Sequence, residues 1–418
     1  MRERLQASVA LEIALLVSLC SGNKDVCDDA SQCIGLLCKE ARMADLDEGG
    51  EVKSVTIACN LKIYEELSAD DSKFIGRKAQ QKRIRKYLRM LPQHTPGNMA
   101  AWEEVWKRWK QLTLLMNRTS DDLTDDASID TTNSSLNNGT TNNASTLISS
   151  SSNSIALTAN SNSNLKKLPL PRGVVNSNNV EKTRNLNTSS TLMTNTTKSQ
   201  QNSDTYEDKA IEWQNFTGFL AALGGCCLDE IDPGIWAMEQ QQESRRISSP
   251  NQPIIMVDRF IGEMSDMLVS ENVYISEGIK DTLGNDLSPA LYVVLFRHLE
   301  AYMIKCFDTN GDAIRSPQNK MFVEQSVLVL RLILDRLVNP GDCLLNIDFS
   351  TLIHRFADYL NRLPNTYITL RIKIKMCLLI EAVMQKKEHI VVRDEMRLRN
   401  KLLEICVEWT SDFALVSM

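Results

Sequence analysis

The sequence predicts an all-α fold: an α-solenoid segment of stacked helix pairs, interrupted by a long disordered insertion. Three observations carry that reading. Apolar residues recur at steps of three and four through nearly every foldable stretch, which places them on one face of a helix. Proline, glycine and polar clusters punctuate those stretches at short intervals, as turns between successive helices do. Residues 121–203 are mostly Asn, Ser and Thr, with too little apolar surface to offset the entropy of ordering the chain. The expected organisation is a helical segment over 1–120, the insertion over 121–203, and a second helical segment over 204–418 with a loop near 232–253. Any repeats are degenerate, because no clean fixed period recurs.

At the start, Met1, Arg2 and Arg4 precede an apolar stretch from Ala7 to Cys20. Glu12 interrupts it, and Leu5, Val9, Ile13, Leu16 and Cys20 keep helical spacing. That reads as an amphipathic helix and not as the apolar core of a signal peptide. From Lys73 to Arg89 there are eight Lys or Arg and no acid. On a helix Lys78, Lys82, Arg85 and Arg89 form one stripe, while Ile84, Leu88 and Leu91 lie elsewhere. Pro92 and Pro96-Gly97 separate this helix from residues 99–116, where Trp102, Val105, Trp106, Trp109, Leu112 and Met116 share a face.

Further along, Ser288-Pro289 is expected to cap a helix running into Ala290–Tyr302. Residues 322–338 place Phe322, Val327, Leu330, Leu334 and Leu337 together, and Asn339-Pro340-Gly341 stops that helix. Residues 367–388 alternate at first, with Leu370, Ile372 and Ile374 between Arg371, Lys373 and Lys375. Over the longer window Ile368, Ile372, Met376, Leu379 and Val383 keep helical spacing for too many turns to be a strand. Leu398, Leu402, Ile405 and Trp409 do the same over 396–409.

Composition excludes several classes of function. A net charge of −6 argues against a strongly basic nucleic-acid binder, so no nucleic-acid partner is expected. The eleven cysteines are spread out, odd in number and without a CxxC. They read as small core hydrophobes of a reducing compartment, not as a disulfide framework or a zinc site. No run of 18 apolar residues occurs, so no span is expected. Triplets such as those at Asn133 and Asn195 follow from the polar composition more simply than from glycosylation. His94, His298, His354 and His389 lie far apart, and HExxH, GxSxG, GxGxxG and P-loop patterns are missing. No catalytic, cofactor-binding or metal residue is therefore assigned, and no cofactor is expected. Asp308-Thr309-Asn310-Gly311-Asp312 resembles the start of a calcium loop but fails where such a loop needs glycine and glutamate, at Ala313 and Asn319. It reads as a polar turn.

Two surface features remain. The stripe of Lys78, Lys82, Arg85 and Arg89 could meet anionic lipid headgroups or an acidic partner. A solvated helix face is the plainer reading, since the helix lacks bulky interfacial anchors. Arg245-Arg246-Ile247-Ser248 makes Ser248 a candidate phosphosite. Two arginines just upstream suit a basophilic kinase, and a phosphate there would add about −1.5 to −2 charge.

Five ordered segments resemble the neurofibromin family of Ras GTPase-activating proteins. The first is Gly76-Arg77-Lys78-Ala79 with Gln81-Lys82-Arg83, followed by Pro96-Gly97-Asn98, Ala101-Trp102-Glu103 and Trp109. The second runs from Glu212-Trp213-Gln214-Asn215-Phe216-Thr217-Gly218-Phe219-Leu220 through Ala222-Leu223-Gly224-Gly225 to Cys227-Leu228. The third is Leu287-Ser288-Pro289-Ala290-Leu291-Tyr292 with Leu295-Phe296, and the fourth is Phe322-Val323-Glu324-Gln325. The last is Glu395-Met396-Arg397-Leu398-Arg399-Asn400-Lys401 with Glu404 and Trp409. Together they cover residues 73–418 apart from the polar insertion, which departs from the family pattern.

The resemblance implies a HEAT- or armadillo-like helical scaffold from just upstream of the Ras-activating domain. That domain would lie downstream of this chain and insert an arginine finger into the Ras nucleotide site. No arginine here is assigned as the finger, because Leu295-Phe296-Arg297 belongs to the scaffold match. The chain alone is therefore not expected to be an enzyme. The resemblance further implies Ras as the partner of the downstream domain, a homodimer in the full-length protein, and a cytoplasmic location with recruitment to membranes. A peripheral membrane module docking through the basic helix 73–89 is the alternative.

Overall fold

Polar residues set where many of the helices begin. In the computed structural model, Thr95 Oγ1 accepts from the Asn98 amide at 3.1 Å and Asn98 Oδ1 accepts from the Thr95 amide at 2.8 Å. This reciprocal cap, with proline at the first helical position, opens the Trp-rich helix. Asn272, Ser316, Asp348 and Thr366 likewise cap later helices through their side chains. The structure describes residues 2–47, 60–69, 76–117, 196–228, 253–337, 344–386, 388–391 and 395–416.

Before the polar tract come α1 (Arg2–Ser18), α2 (Lys24–Asp47), α3 (Leu61–Ser68), α4 (Arg77–Leu88) and α5 (Pro96–Met116). After it come α6 (Thr196–Leu223), α7 (Pro253–Met267) and α8 (Val273–Asp281), then a π-helical turn (Thr282–Asp286) and a 3-10 turn (Pro289–Leu291). The chain continues through α9 (Tyr292–Lys305), α10 (Pro317–Arg336), β1 (Leu344–Asp348), α11 (Phe349–Asn361), α12 (Tyr367–Gln385), β2 (Ile390–Val391) and α13 (Glu395–Val416). The described residues are thus mostly helical, with one short parallel pairing of β1 and β2.

Residues 1–118 and 200–418 form one compact unit and residues 119–199 another. Most of the expected insertion, 121–195, lies outside the described residues, as does most of the loop expected near 232–253. Helix α6 begins at Thr196, ahead of the boundary expected at 204. Once its later turns pack, each added polar residue gains a backbone hydrogen bond at little nucleation cost.

Contacts between helices after α6 include neighbours (α7–α8, α11–α12, α12–α13) and also a skipping order. Helix α7 packs on α9 and α9 on α11, while α8 packs on α10 and α10 on α12. Helix α13 extends the first row: Lys401 lies 3.5 Å from Asp358, and Trp409 Nε1 donates to Asn361 Oδ1 at 2.5 Å. Buried Leu295, Leu299 and Met303 of α9 and Val323, Val327, Leu330 and Leu334 of α10 fill the space between. Each such side chain contributes about 1.5–3 kcal/mol relative to exposure.

A seam joins the helices on either side of the polar tract. Trp109 Nε1 donates to Thr217 Oγ1 at 2.8 Å, and Trp213 Nε1 donates to Thr113 Oγ1 at 2.8 Å. Each threonine hydroxyl in turn donates to the carbonyl of its own helix's tryptophan, four residues earlier. The two indoles stack with centroids 6.4 Å apart. The same Trp-x-x-x-Thr pattern on α5 and on α6 therefore closes a reciprocal lock, and every polar atom in it is satisfied inside an apolar core. Phe260 of α7 meets Trp102, Trp106 and Trp109 at 5.9, 5.8 and 5.2 Å.

Two local expectations are corrected. Ser288 makes no side-chain cap; its amide donates to Ala221 O at 3.0 Å, and a 3-10 turn intervenes before α9 starts at Tyr292. Ile368 is exposed in the first turn of α12, before the buried stripe of Ile372, Met376, Leu379 and Val383 begins. The Asp308–Asp312 segment is a turn whose Asp308 carboxylate accepts from the amides of Asn310 and Asp312. Gly311 sits there at φ +83°, a conformation that favours glycine. Among the described residues no helix is long and apolar enough to cross a membrane.

Candidate functional site

The basic helix α4 does not lie free. Its buried positions Ile84 and Leu88 fix it to the core, and Gln81 Nε2 donates to Leu19 O at 2.9 Å. That orientation turns Arg85 inward. Its guanidinium donates to Asp286 Oδ2 at 2.8 Å and to Asn215 Oδ1 at 3.2 Å. Gly218 is where the α6 backbone meets this side chain: a methyl group there would collide with the guanidinium. Arg85 is 8% exposed. The expectation that all four residues of the stripe face solvent is corrected at this position, because a carboxylate distant in sequence supplies the compensation that water would otherwise give.

The same helix forms one wall of a cleft of about 270 Å³, lined by Lys82, Arg85, Lys86, Arg89, Asn285, Asp286 and Arg336. The π-helical turn that carries Asn285 and Asp286 is its floor. Such turns expose backbone carbonyls that a regular helix would use, and both cationic walls engage them. Arg89 donates to Asn285 O at 3.3 Å. Arg336, at the end of α10, donates to Gly284 O at 3.3 Å and also to Asn285 O. Lys82 and Lys86 are exposed on the rim.

Five cations therefore surround one lining carboxylate, and that carboxylate is already paired with Arg85. A second acid, Asp281, lies nearby. Burial raises its pKa above the ordinary value, Lys280 and Lys82 pull it down, and Glu277 and Asp286 push it up. Chemically the cleft suits an anion; nothing in it supplies a nucleophile beside a base.

Of the sequence-predicted residues, Lys82, Arg85 and Arg89 converge on this cleft, whereas Lys78 is exposed and does not line it. Arg245, Arg246 and Ser248 lie outside the described residues, as does Lys73. Sequence reasoning missed Lys86, Asn285, Asp286 and Arg336. Lys86 stands four residues after Lys82 and was open to the same spacing argument. Arg336 carried no signal, since only the fold brings α10 to α4.

Elsewhere, His298 Nε2 lies 3.0 Å from Asp258 Oδ1, with Arg297 on the same carboxylate. Burial pushes Asp258 up, but His298 and Arg297 outweigh it and hold the carboxyl below its usual range. Ser265, in the hollow beside His298, donates to its own helix's Ile261 carbonyl. Among the described residues no group of three or more His, Cys, Asp or Glu could hold a metal ion. The described cysteines are free thiols. No protein-family model matches the chain.

Proposed function

We propose that this chain is the non-catalytic helical scaffold portion of a neurofibromin-like negative regulator of Ras signalling. One observation carries the reading. The aromatic and apolar residues among those that bear the family resemblance are largely packing residues that meet each other, while Arg77, Lys78, Lys82 and most of Glu395–Lys401 are exposed. Trp102 Nε1 donates to Leu220 O at 3.0 Å, Trp109 meets Thr217, and Trp213 stacks on Trp109. Residues selected for such contacts build a support and not a reaction centre. The skipping contacts of α7 through α12 support the HEAT- or armadillo-like solenoid form of that support, in which odd and even helices stack as two layers.

In this reading the whole protein stimulates GTP hydrolysis on Ras through an arginine-finger domain downstream of the chain. It works in the cytoplasm as a homodimer and reaches membranes through partners, and Ser248 is its phosphosite. The test is single-turnover hydrolysis by GTP-loaded Ras with and without the purified chain. The expected result is an unchanged rate. Acceleration on the scale of an arginine finger, about a thousandfold or more, would contradict the non-catalytic assignment. Reading the encoding transcript further should also reveal a Ras-activating domain, and a different domain there would remove the Ras assignment.

The exposure of Lys78, Lys82 and Lys86 on one helix favours a second reading, peripheral docking on anionic membranes. In that case Lys78→Glu with Lys82→Glu should abolish co-sedimentation with anionic vesicles.

A further inference from the structure

We propose that the cleft between α4, the π-helical turn and the end of α10 is a binding site for a compact ligand carrying two or more phosphate groups. The inference is independent of the Ras assignment. It rests on how the cleft is charged, how its donors are held and how large it is.

Lys82, Arg85, Lys86 and Arg89 stand at steps of three, one and three along α4, so the helix gathers them on one side. The fold then adds Arg336 from the opposite wall. Asp286 neutralises Arg85 and no other lining cation at ion-pair distance. Lys82, Lys86, Arg89 and Arg336 face a shared space in which none of them has a carboxylate at ion-pair distance among the described residues; Asp286 is held by Arg85, and Asp281 acts on Lys82 only at longer range. Like charges held together repel, and an anion in the cleft would reverse the sign of that interaction.

The donors are also held ready. Arg89 and Arg336 each give a nitrogen to the backbone carbonyls of the turn, which fixes the guanidinium while leaving further N–H groups. Planar guanidinium forks match phosphate oxygens, and the lysines add mobile donors at the rim. Arg85 plays a different part. Its Nη1 and Nη2 donate to Asp286, Asn215 and the Gln214 carbonyl while its buried Nε has no partner, so it anchors the wall and contributes field.

Size sets the ligand class. A cleft of about 270 Å³ is at the small end of small-molecule pockets, too small for a folded domain yet ample for a phosphorylated headgroup or a small polyphosphate. A single phosphate would leave unused most of the four cations that lack a carboxylate at ion-pair distance. The shared chemistry is clustered phosphates, from a soluble polyphosphate or from the headgroup of a phosphorylated inositol lipid.

The test uses the full chain. Inorganic pyrophosphate and inositol hexakisphosphate are titrated calorimetrically. In parallel the chain is sedimented with neutral vesicles carrying phosphatidylinositol bisphosphate, or phosphatidylserine at equal total charge. Lys82→Glu with Lys86→Glu alters the cleft at two exposed positions, and Lys39→Glu with Lys107→Glu makes the same charge change outside both the cleft and the basic face of α4. Saturable binding of a soluble probe, or of bisphosphate vesicles over phosphatidylserine vesicles, is expected. The cleft pair should weaken it by roughly tenfold or more, and the outer pair should leave it nearly unchanged. Binding of the soluble probes identifies a diffusible ligand; preference for bisphosphate vesicles alone identifies a lipid source. Absence of soluble-probe binding together with no preference for bisphosphate vesicles, or equal losses in the two variant pairs, would overturn the site. Thermal melts of both variants check that the fold is intact.

Discussion

Arg85 and Glu12 are two residues whose environments depart from their chemistry. Both are charged by type, and both are buried. Arg85 reads as a member of a basic stripe because its own helix is polar around it; the Asp286 that draws it inward is 201 positions away. Glu12 reads as an interruption of an apolar stripe. Its Oε1 accepts from Tyr64 Oη at 2.9 Å and from Thr95 Oγ1 at 3.1 Å, while Oε2 has no partner. Burial raises its pKa, and the hydrogen bonds from Tyr64 and Thr95 only partly oppose that. The folded state therefore resists ionisation that the unfolded chain accepts. The contribution of Glu12 to stability should be greatest below the ordinary carboxylate range and fall as pH rises through the raised value. Glu12→Gln keeps the acceptor oxygen and the shape but does not ionise. Urea midpoints of the variant should lose that decline between mildly acidic and neutral pH, whereas the native chain keeps it. Parallel declines in the two proteins would show that Glu12 is not the titrating group.

At the scale of elements, periodicity is what the sequence discloses best. Helices α5, α10, α12 and α13 follow from the spacing of Trp102 to Met116, Phe322 to Leu337, Ile372 to Val383 and Leu398 to Trp409, because one buried stripe per helix is a local pattern. The π-helical turn and the β1–β2 pairing were not legible. Each depends on what packs against it, as Leu344 does when its amide donates to His389 O. The Trp-x-x-x-Thr pairs were half legible: Trp109 marked a core face by its spacing, but no local pattern singled out Thr113. The lock predicts coupled energetics. Trp109→Phe and Thr217→Val should each cost about 1–3 kcal/mol by denaturant unfolding. Together they should cost less than the sum, with a coupling of about 0.5–3 kcal/mol. Strict additivity would mean that the hydrogen bond between them contributes nothing of its own.

For the whole molecule, what matters is that sequence distance and spatial distance are decoupled. The candidate cleft takes its walls from α4 and α10, and its floor from a turn between α8 and α9. Three of its cations could be named from the basic run alone; the cleft itself could not, since no local pattern records which helices meet. The seam of α5 on α6 has the same character, closing across a tract of the chain that belongs to a different unit. A scaffold of this kind should need both sides. Residues 1–118 and 200–418, expressed as separate chains, should therefore copurify as a one-to-one complex with a single cooperative thermal transition. If 200–418 alone is monomeric, helical and melts as the intact protein does, ignoring 1–118 when it is added, then the two sides do not build one supporting body.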